Sequence, residues 1–329
     1  MATAMTRLQL FRPDSVADAI DLLRSSKAPV DSPTQRRYRS NRHLEAAFEY
    51  GLRRPEWVWA ARRGERVVGT VAAAAPGRDD VPRMIDHVSD PGVTATECAD
   101  FTALATRASD DFVPMGCEMV SIFSPPDVAF EAPVIAPLTA AFRSCGWEPQ
   151  QAMRHYETEV RPGLGDGIGG ELRLEQVARA DDRHLVRVYP QVFAESLDEA
   201  HREARQRLGF EAAWRNELDR LLADDPVECI RLAFDAAGHC VGMVSGRVMG
   251  GGVAYVLFVG VAQPFRGRGY GRQLLAAMTR ELVQQGATML IGDTDYSNAP
   301  MAKAFADVGW VQIESRLDMS RRAEIGSGL

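Results

Sequence analysis

Long apolar runs, a basic excess and paired cysteines are all missing from this sequence of 329 residues. No window approaches the roughly 18 consecutive apolar residues that a membrane-spanning helix requires, so we expect no membrane partner. The formal net charge is −7, whereas nucleic-acid-binding proteins normally carry a basic surface, so we expect no nucleic-acid partner. Residues 1–11 lack the charged and then apolar pattern of an export signal, which predicts a cytoplasmic protein.

The cysteines and histidines are too scattered to indicate a disulfide framework or a metal site. The five cysteines contain no CxxC pair, and the six histidines form no HxxxH or HxH group. Lysine is also rare: Lys27 and Lys303 are the only two, so arginine carries nearly all the positive charge. We therefore expect no bound metal and no structural disulfide.

A glycine-rich segment separates two halves that resemble each other. Residues 161–170, RPGLGDGIGG, have the composition of a linker. Two similar stretches flank this segment: TAAFRSCGW, which ends at Trp147, lies before it, and AKAFADVGW, which ends at Trp310, lies after it. Earlier in each half, a hairpin-like stretch carries VxGxV, and this repeated order favours a tandem duplication. We predict domains at 1–160 and 171–329, joined by the linker.

The second half predicts alternating strands and helices. Apolar periodicity and turn residues indicate the following elements. Strands are predicted at 172–177, 228–234, 240–248, 253–261 and 289–292, helices at 181–193, 197–222, 270–285 and 299–308, and a final pair of strands within 310–319. This order predicts an α/β or α+β layered fold.

The most informative segment is VGVAQPFRGRGYG, residues 259–271, between a predicted strand and a predicted helix. Its alternating glycines allow positive φ and a close approach to a ligand. The free amides and the dipole of the following helix favour an anion, and Arg266, Arg268 and Arg272 add charge suited to phosphate. This segment matches neither the Walker pattern nor GxGxxG, since position 272 is Arg. The segment predicts a phosphate-binding loop, with an ordinary strand-to-helix turn as the alternative.

Two motifs resemble those of the GCN5-related N-acetyltransferase (GNAT) superfamily. RGRGYG at 266–271 resembles its R/Q-x-x-G-x-G/A acyl-CoA loop, and DTDYSNAPMAKAFADVGW at 293–310 resembles its later strand-to-helix segment. The resemblance covers roughly residues 170–320, and the tandem arrangement is similar to mycothiol synthases and to acetyltransferases of antibiotic biosynthesis. It implies two tandem acyl-CoA N-acyltransferase folds, each with a mixed, mostly antiparallel central sheet flanked by helices.

The resemblance also implies acetyl-CoA as cosubstrate, and a small-molecule amine that attacks the thioester directly. Pantetheine would run alongside the strand at Val259–Val261 as an added strand, and a backbone N–H near Val261 would polarise the thioester carbonyl. The implied cofactor-binding residues are Val259, Val261, Arg266, Gly267, Arg268, Gly269, Tyr270, Gly271, Arg272, Asn298 and Phe305.

The catalytic groups of the family have no clear equivalents here. Phe305 stands where relatives often have a tyrosine that protonates the leaving thiolate, and the strand 253–261 has no Asp or Glu to act as base. Tyr255 and Tyr296 are therefore our candidate catalytic residues. The alternatives are Ser297, Glu195, Asp293 and Asp295.

The first half lacks a matching loop. Residues 91–112 contain no Gly-x-Gly and few positive charges, so we predict a degenerate domain that lacks CoA or binds it without a phosphate loop. The favoured function is an acetyl-CoA-dependent N-acetyltransferase, monomeric or homodimeric. The alternatives are an acyltransferase with another acyl-CoA or a hydroxyl acceptor, and a CoA-binding or scaffolding protein without turnover.

Overall fold

The protein divides into two compact units in a computed structural model that describes residues 6–75, 80–170 and 172–321. The first unit contains Met1–Ala152 and Glu314–Leu329, and the second contains Met153–Ile313. The predicted domains also included residues 1–5, 76–79, 171 and 322–329, which lie outside the described residues.

Helices and strands alternate along both units. Their bounds are β1 (Leu8–Phe11), α1 (Val16–Ser25), α2 (Pro33–Tyr38), α3 (Asn41–Glu49), β2 (Val58–Arg63), β3 (Arg66–Ala74), β4 (Met84–Val88), α4 (Ala95–Met115), β5 (Met119–Ser124), α5 (Ala136–Ser144), β6 (Trp147–Glu159), β7 (Arg173–Gln176), α6 (Arg183–Phe193), α7 (Glu199–Leu208), α8 (Phe210–Asp224), β8 (Ile230–Phe234), β9 (Cys240–Val248), β10 (Val253–Val261), α9 (Tyr270–Gln284), β11 (Met289–Asp295), α10 (Ala299–Val308) and β12 (Gln312–Arg321).

Each unit has a mixed sheet with the same succession of pairings. The order is β1-β2-β3-β4-β5-β12 in the first unit and β7-β8-β9-β10-β11-β6 in the second. β4 and β5 pair in parallel, as do β10 and β11, and the other recorded pairs within each unit are antiparallel. Helices pack on both sheets, so the predicted pair of mixed, mostly antiparallel folds is confirmed.

The final strand of each sheet comes from the other half of the sequence. β12 pairs with β5 through residues 315–320, and residues 153–159 of β6 pair with β11. The predicted pair of strands within 310–319 is therefore wrong, because β12 is one continuous strand.

The glycine-rich segment 161–170 lies inside the second unit rather than between the two units. Leu164 is buried in that unit's core, and Arg280 on α9 donates a hydrogen bond to the Ile168 carbonyl at 3.2 Å. A hypothetical Cβ on Gly165 would lie 3.3 Å from the Ala276 carbonyl oxygen. The glycines therefore permit close packing on α9, which composition alone cannot distinguish from a flexible linker.

The repeated Gly-Trp motif has the same structural role in each unit. Gly146 and Gly309 follow α5 and α10 with φ of 83° and 92°, values that favour glycine. Trp147 then donates its indole N–H to Ser109 Oγ on α4 at 2.9 Å, and Trp310 donates to Thr279 Oγ1 on α9 at 3.0 Å. This correspondence agrees with the tandem repeat inferred from sequence.

The described residues contain neither a membrane-crossing helix nor a metal-binding cluster. Within 6–75, 80–170 and 172–321, no helix is long and apolar enough to cross a membrane. The same part of the chain contains no cluster of three or more His, Cys, Asp or Glu side chains arranged to hold a metal ion. All five cysteines are free thiols.

Candidate functional site

A cavity of about 690 Å³ opens in the second unit, beside β10 and the beginning of α9. Five segments contribute to its wall: the connection from α6 to α7, the second half of β10, the loop before α9, the end of β11, and α10. The contributing residues fall within 192–201, 256–261, 265–272, 293–295 and 298–307.

The cavity exists because two parallel strands separate. β10 and β11 pair from Val253–Met289 as far as Val256–Gly292 and no further among the described residues. The register of β10 against β9 shifts between Val256 and Phe258, and a bulge of this kind bends a strand. β10 nevertheless stays paired with β9 to Val261, so its opposite edge faces the cavity. That edge can hydrogen-bond the amides of an extended ligand.

The loop after β10 has the backbone geometry of an anion site. Gly267 and Gly269 both have φ of 78°, and a Cβ on either would meet nothing within 4 Å. Gly269 is the N-cap residue of α9, and no side chain caps this helix. The first-turn amides of a helix have no intrahelical acceptor, so without a cap they can bind a ligand. Gly271 has no positive φ, and its Cβ would lie 3.8 Å from Val261. The first two glycines thus meet the conformational requirement, whereas a Cβ at position 271 would make only an ordinary van der Waals contact.

Arg266 lines the cavity and also binds three backbone carbonyls. Its guanidinium donates to the carbonyls of Val261 at 3.1 Å, Glu195 at 2.9 Å and Val192 at 2.7 Å. Burial lowers the pKa of this guanidinium, although Glu195 opposes the shift. Arg266 therefore fastens the loop to the α6–α7 connection, where Glu195 has a φ of 53°. Its guanidinium thus links the start of the loop to the end of α6 and to the α6–α7 connection.

The other two loop arginines differ in position. Arg268 lies outside the cavity wall, stacks over Phe265 with 5.4 Å to the ring centroid, and donates to the Pro264 carbonyl at 3.4 Å. Arg272 lines the cavity 3.6 Å from Asp307, and Lys303 also binds Asp307, at 2.8 Å. Two cations thus share one carboxylate beside the loop, which leaves this end of the cavity positive.

The residues predicted downstream of the loop are placed at the cavity. Asn298 caps α10 by accepting from the Met301 N–H at 3.2 Å, and it lines the wall. Phe305 also lines the wall, stacked on Tyr156 with centroids 4.2 Å apart and edge-on to Trp310. Val259, Val261 and Tyr270 complete the predicted cofactor residues that line the cavity.

The two candidate catalytic tyrosines do not reach the cavity wall. Tyr255 precedes the bulge, in the part of β10 that still pairs with β11. Tyr296 is exposed, and the Arg154 guanidinium lies 4.1 Å from its ring centroid. Both lie near the motif in sequence, but the part of β10 that lines the cavity begins at Val256.

The carboxylates proposed as alternatives already have partners. Asp295 accepts from the Ser297 N–H at 2.7 Å and from the Glu199 N–H at 3.1 Å, which fixes the start of α7. Asp293 lies 2.7 Å from His155 Nδ1. Both still line the cavity, so with Asp198 they make the end near α7 acidic.

Sequence reasoning missed a histidine in the wall. His201, in the first turn of α7, lines the cavity and holds Ser196 Oγ 2.9 Å from its Nδ1. Burial lowers the pKa of its imidazole. The only signal in the sequence was a lone histidine, three residues after a helix-capping aspartate, with no neighbour of known chemistry.

The acetyltransferase (GNAT) family model matches residues 190–310, the stretch that builds this cavity. Residues 190–310 therefore resemble a GNAT acetyltransferase domain. Mycothiol acetyltransferase of Corynebacterium aurimucosum is 29% identical to it over 158 residues. That match covers 46% of the present chain and 51% of the relative, so it spans about half of the curated protein's length.

Solved structures confirm the GNAT fold. A GCN5-related N-acetyltransferase from Sphaerobacter thermophilus superposes with a TM-score of 0.57 at 15% identity, covering 95% of this chain and 94% of that one. A GCN5-related glucosamine N-acetyltransferase region of a fungal multi-domain GH3 β-N-acetylglucosaminidase gives 0.55 at 15% identity, covering 96% of this chain and 38% of that one. At these identities the likeness concerns the fold alone.

Proposed function

We propose that the second unit is an acyl-CoA-dependent N-acyltransferase that transfers an acetyl group to the primary amine of a small molecule. The observation that carries the proposal is the separation of β10 from β11 directly before an uncapped helix N-terminus. A free strand edge and a set of free amides suit the two chemical parts of CoA, its amide-containing pantetheine and its phosphates.

The residues present fit acyl-CoA. The amides of Gly267–Gly271 and of the first turn of α9 would hold the pyrophosphate, because Gly267 and Gly269 leave open space above the loop. Arg272 and Lys303 would add charge for the remaining phosphate, and the free edge of β10 would bind pantetheine. Acetyl-CoA supplies the activated acetyl group. The chain orients it and, with β10 amides, stabilises charge on the thioester oxygen.

The carboxylates beside α7 favour a cationic acceptor. Asp198 caps α7 and Asp295 accepts from the Glu199 N–H, and both line the cavity together with Asp293, whereas Arg272 and Lys303 share Asp307. Acidic walls raise the local concentration of an ammonium group and speed its association. The fungal region with this fold is named for glucosamine, so glucosamine is a rational first acceptor to assay here.

We propose that the first unit does not bind acyl-CoA and has a structural role. Its α4 begins with a complete capping box, in which the Glu97 carboxylate accepts from the Val93 N–H at 3.2 Å and the Thr94 N–H at 3.1 Å. These bonds lower the pKa of Glu97. The carboxylate thus occupies the amides that would otherwise be free for phosphate.

The strand opening of the first unit is also occupied. β4 pairs with β5 only at Met84 and Ile85, the arrangement that opens the cavity in the second unit. Here Arg39 donates to the carbonyl of Val88, at the end of β4, at 2.7 Å. A protein side chain therefore already bonds the strand end along which pantetheine would run.

Thiol release from acetyl-CoA tests the enzymatic proposal. The assay uses a panel of glucosamine, an alkylamine, an arylalkylamine, an amino-acid amide and matched alcohols, with wild type and Gly269→Glu. Amine-dependent release that disappears in Gly269→Glu supports the proposal. Release with alcohols only would indicate an O-acyltransferase, and tight CoA binding without release would indicate a binding protein; either result contradicts it.

The matched control is Gly238→Glu. Gly238 lies in the β8–β9 turn with φ of 82° and open space around a hypothetical Cβ, as Gly269 does with φ of 78°. Both variants therefore carry the same new charge and comparable backbone strain, but only one lies at the cavity. Gly238→Glu is expected to retain wild-type thiol release.

A further inference from the structure

We propose that His201 is the acid–base residue that removes the proton from the attacking amine. This assignment rests on the proposed N-acyltransferase function. It follows from the position of the imidazole in the cavity, its hydrogen bonding and its surrounding charges.

His201 stands where the cavity begins. Its ring centroid lies 4.9 Å from that of Phe193 on α6 and 6.5 Å from that of Phe258 on β10. Phe258 is the first residue of β10 that pairs with β9 after the bulge, and the pairing of β10 with β11 ends just before this bulge, at Val256. The imidazole therefore borders both the free strand edge, where the acyl group would lie, and the acidic end of the cavity.

The hydrogen bonds of the loop before α7 orient the ring. Ser196 Oγ accepts from the Asp198 N–H at 3.2 Å and lies 2.9 Å from His201 Nδ1. With the Nδ1 proton donated to Ser196, Nε2 carries the lone pair, and no described residue hydrogen-bonds Nε2. Arg266 fixes the same loop through the Glu195 carbonyl, so the ring is held from the cofactor side as well.

The surroundings keep the imidazole neutral and able to accept a proton. Burial lowers the pKa of His201, and Arg220 on α8 adds to that shift, whereas Asp198 and Glu217 on α8 oppose it. Glu217 and Arg220 bind each other at 2.7 Å. α6 and β10 present uncharged Phe193 and Phe258 to the ring.

The acceptor binds as an ammonium and loses its first proton to solvent, after which one residue completes the proton balance of the transfer. As the amine nitrogen forms its bond to the acetyl carbon, the C–S bond breaks and Nε2 takes the nitrogen's proton. The imidazolium then returns that proton to the CoA thiolate, which restores neutral His201 and releases the thiol. Because His201 both takes the proton from the amine and gives it to the thiolate, no hydroxyl is needed at position 305, where the chain has phenylalanine.

His201→Gln and His201→Ala test the assignment with glucosamine and acetyl-CoA as probes, or with another amine that the wild type accepts. Loss of a general base lowers turnover by about 10² to 10⁴-fold. We expect kcat to fall by about that factor, the Kd of CoA to stay unchanged, and added imidazole to restore activity to His201→Ala. The wild-type fall in kcat at acid pH should also be absent in His201→Gln.

His184→Gln is the matched control. Like His201, His184 lies in the first turn of a helix capped by an aspartate, Asp182, but it does not line the cavity. Turnover of His201→Gln within about threefold of wild type, or the absence of imidazole rescue, would overturn the assignment while leaving the N-acyltransferase proposal intact. A wild type that binds CoA but accepts no amine would overturn both.

Discussion

Trp310 donates its indole N–H to Thr279 Oγ1 at 3.0 Å, joining the residue after the α10 cap to the middle of α9. The first unit repeats the bond between Trp147 and Ser109 at 2.9 Å. All four side chains are buried. In each unit, one indole N–H therefore fixes the two helices that flank the opening between parallel strands.

Replacing Thr279 with valine should destabilise the second unit. The substitution preserves shape but leaves the buried indole N–H without an acceptor, which costs about 1–3 kcal/mol of unfolding free energy. Urea denaturation followed by tryptophan fluorescence measures the loss, and Thr279→Ser is the control that keeps the hydroxyl. A valine variant as stable as the serine variant would show that the bond contributes nothing.

Arg266→Lys should impair turnover more than cofactor binding. Lysine cannot direct donors to three separate carbonyls as the guanidinium does, so the α6–α7 connection loses its fixation. We expect kcat to fall about tenfold or more. Arg268→Lys, outside the cavity, is the control and should behave as wild type. If Arg266→Lys raised only the KM of acetyl-CoA, the sequence-based phosphate role would be correct instead.

Arg272 and Lys303 should act on cofactor affinity. Both line the cavity, as the glycine loop at residues 266–271 does, and both bind Asp307. We expect Arg272→Ala and Lys303→Ala each to raise the KM of acetyl-CoA several-fold with little change in kcat, and added salt to reduce the difference. Lys27→Ala, at the chain's other lysine, is the control. Equal cofactor KM values in all three variants would contradict this assignment.

Stability should fall as the pH drops below about 6.5 because of buried His87 in the first unit. Burial holds the pKa of this imidazole well below that of the unfolded chain, so the unfolded state binds the extra proton first. Stability is then complete above 6.5 and is lost with falling pH, by about 1.4 kcal/mol per pH unit for such a group. His43, with a pKa lowered by burial to about 4, adds to the slope.

Urea midpoints between pH 7 and pH 5 measure this dependence. His87→Gln should flatten the slope, because glutamine occupies the site without titrating. A slope that is identical in wild type and His87→Gln would locate the acid sensitivity elsewhere.

The elements were largely predictable because they depend on local patterns. Tyr270–Gln284 and Ala299–Val308 follow the apolar periodicity, and the VxGxV stretches form hairpins as expected. The predicted helix 197–222 is two helices, because Gly209 has a φ of 78° and ends the first of them. A single glycine in a helical pattern does not reveal which conformation it takes.

The site was predictable only where backbone chemistry defines it. The glycine loop predicted part of the cavity wall, since positive φ and a helix N-terminus follow from residue type and order. The role of Arg266 depends on the Val192 and Glu195 carbonyls, which are far from it in sequence. His201 likewise reaches the cavity through tertiary packing against Phe258, which no local pattern encodes.

Isothermal titration calorimetry on wild type, Gly269→Glu and Gly238→Glu measures the stoichiometry of CoA binding. This stoichiometry tests most directly whether the second unit holds the chain's acyl-CoA site. We expect one CoA per chain for wild type and for Gly238→Glu, and none for Gly269→Glu. Two CoA molecules per wild-type chain, or undiminished binding by Gly269→Glu, would contradict it.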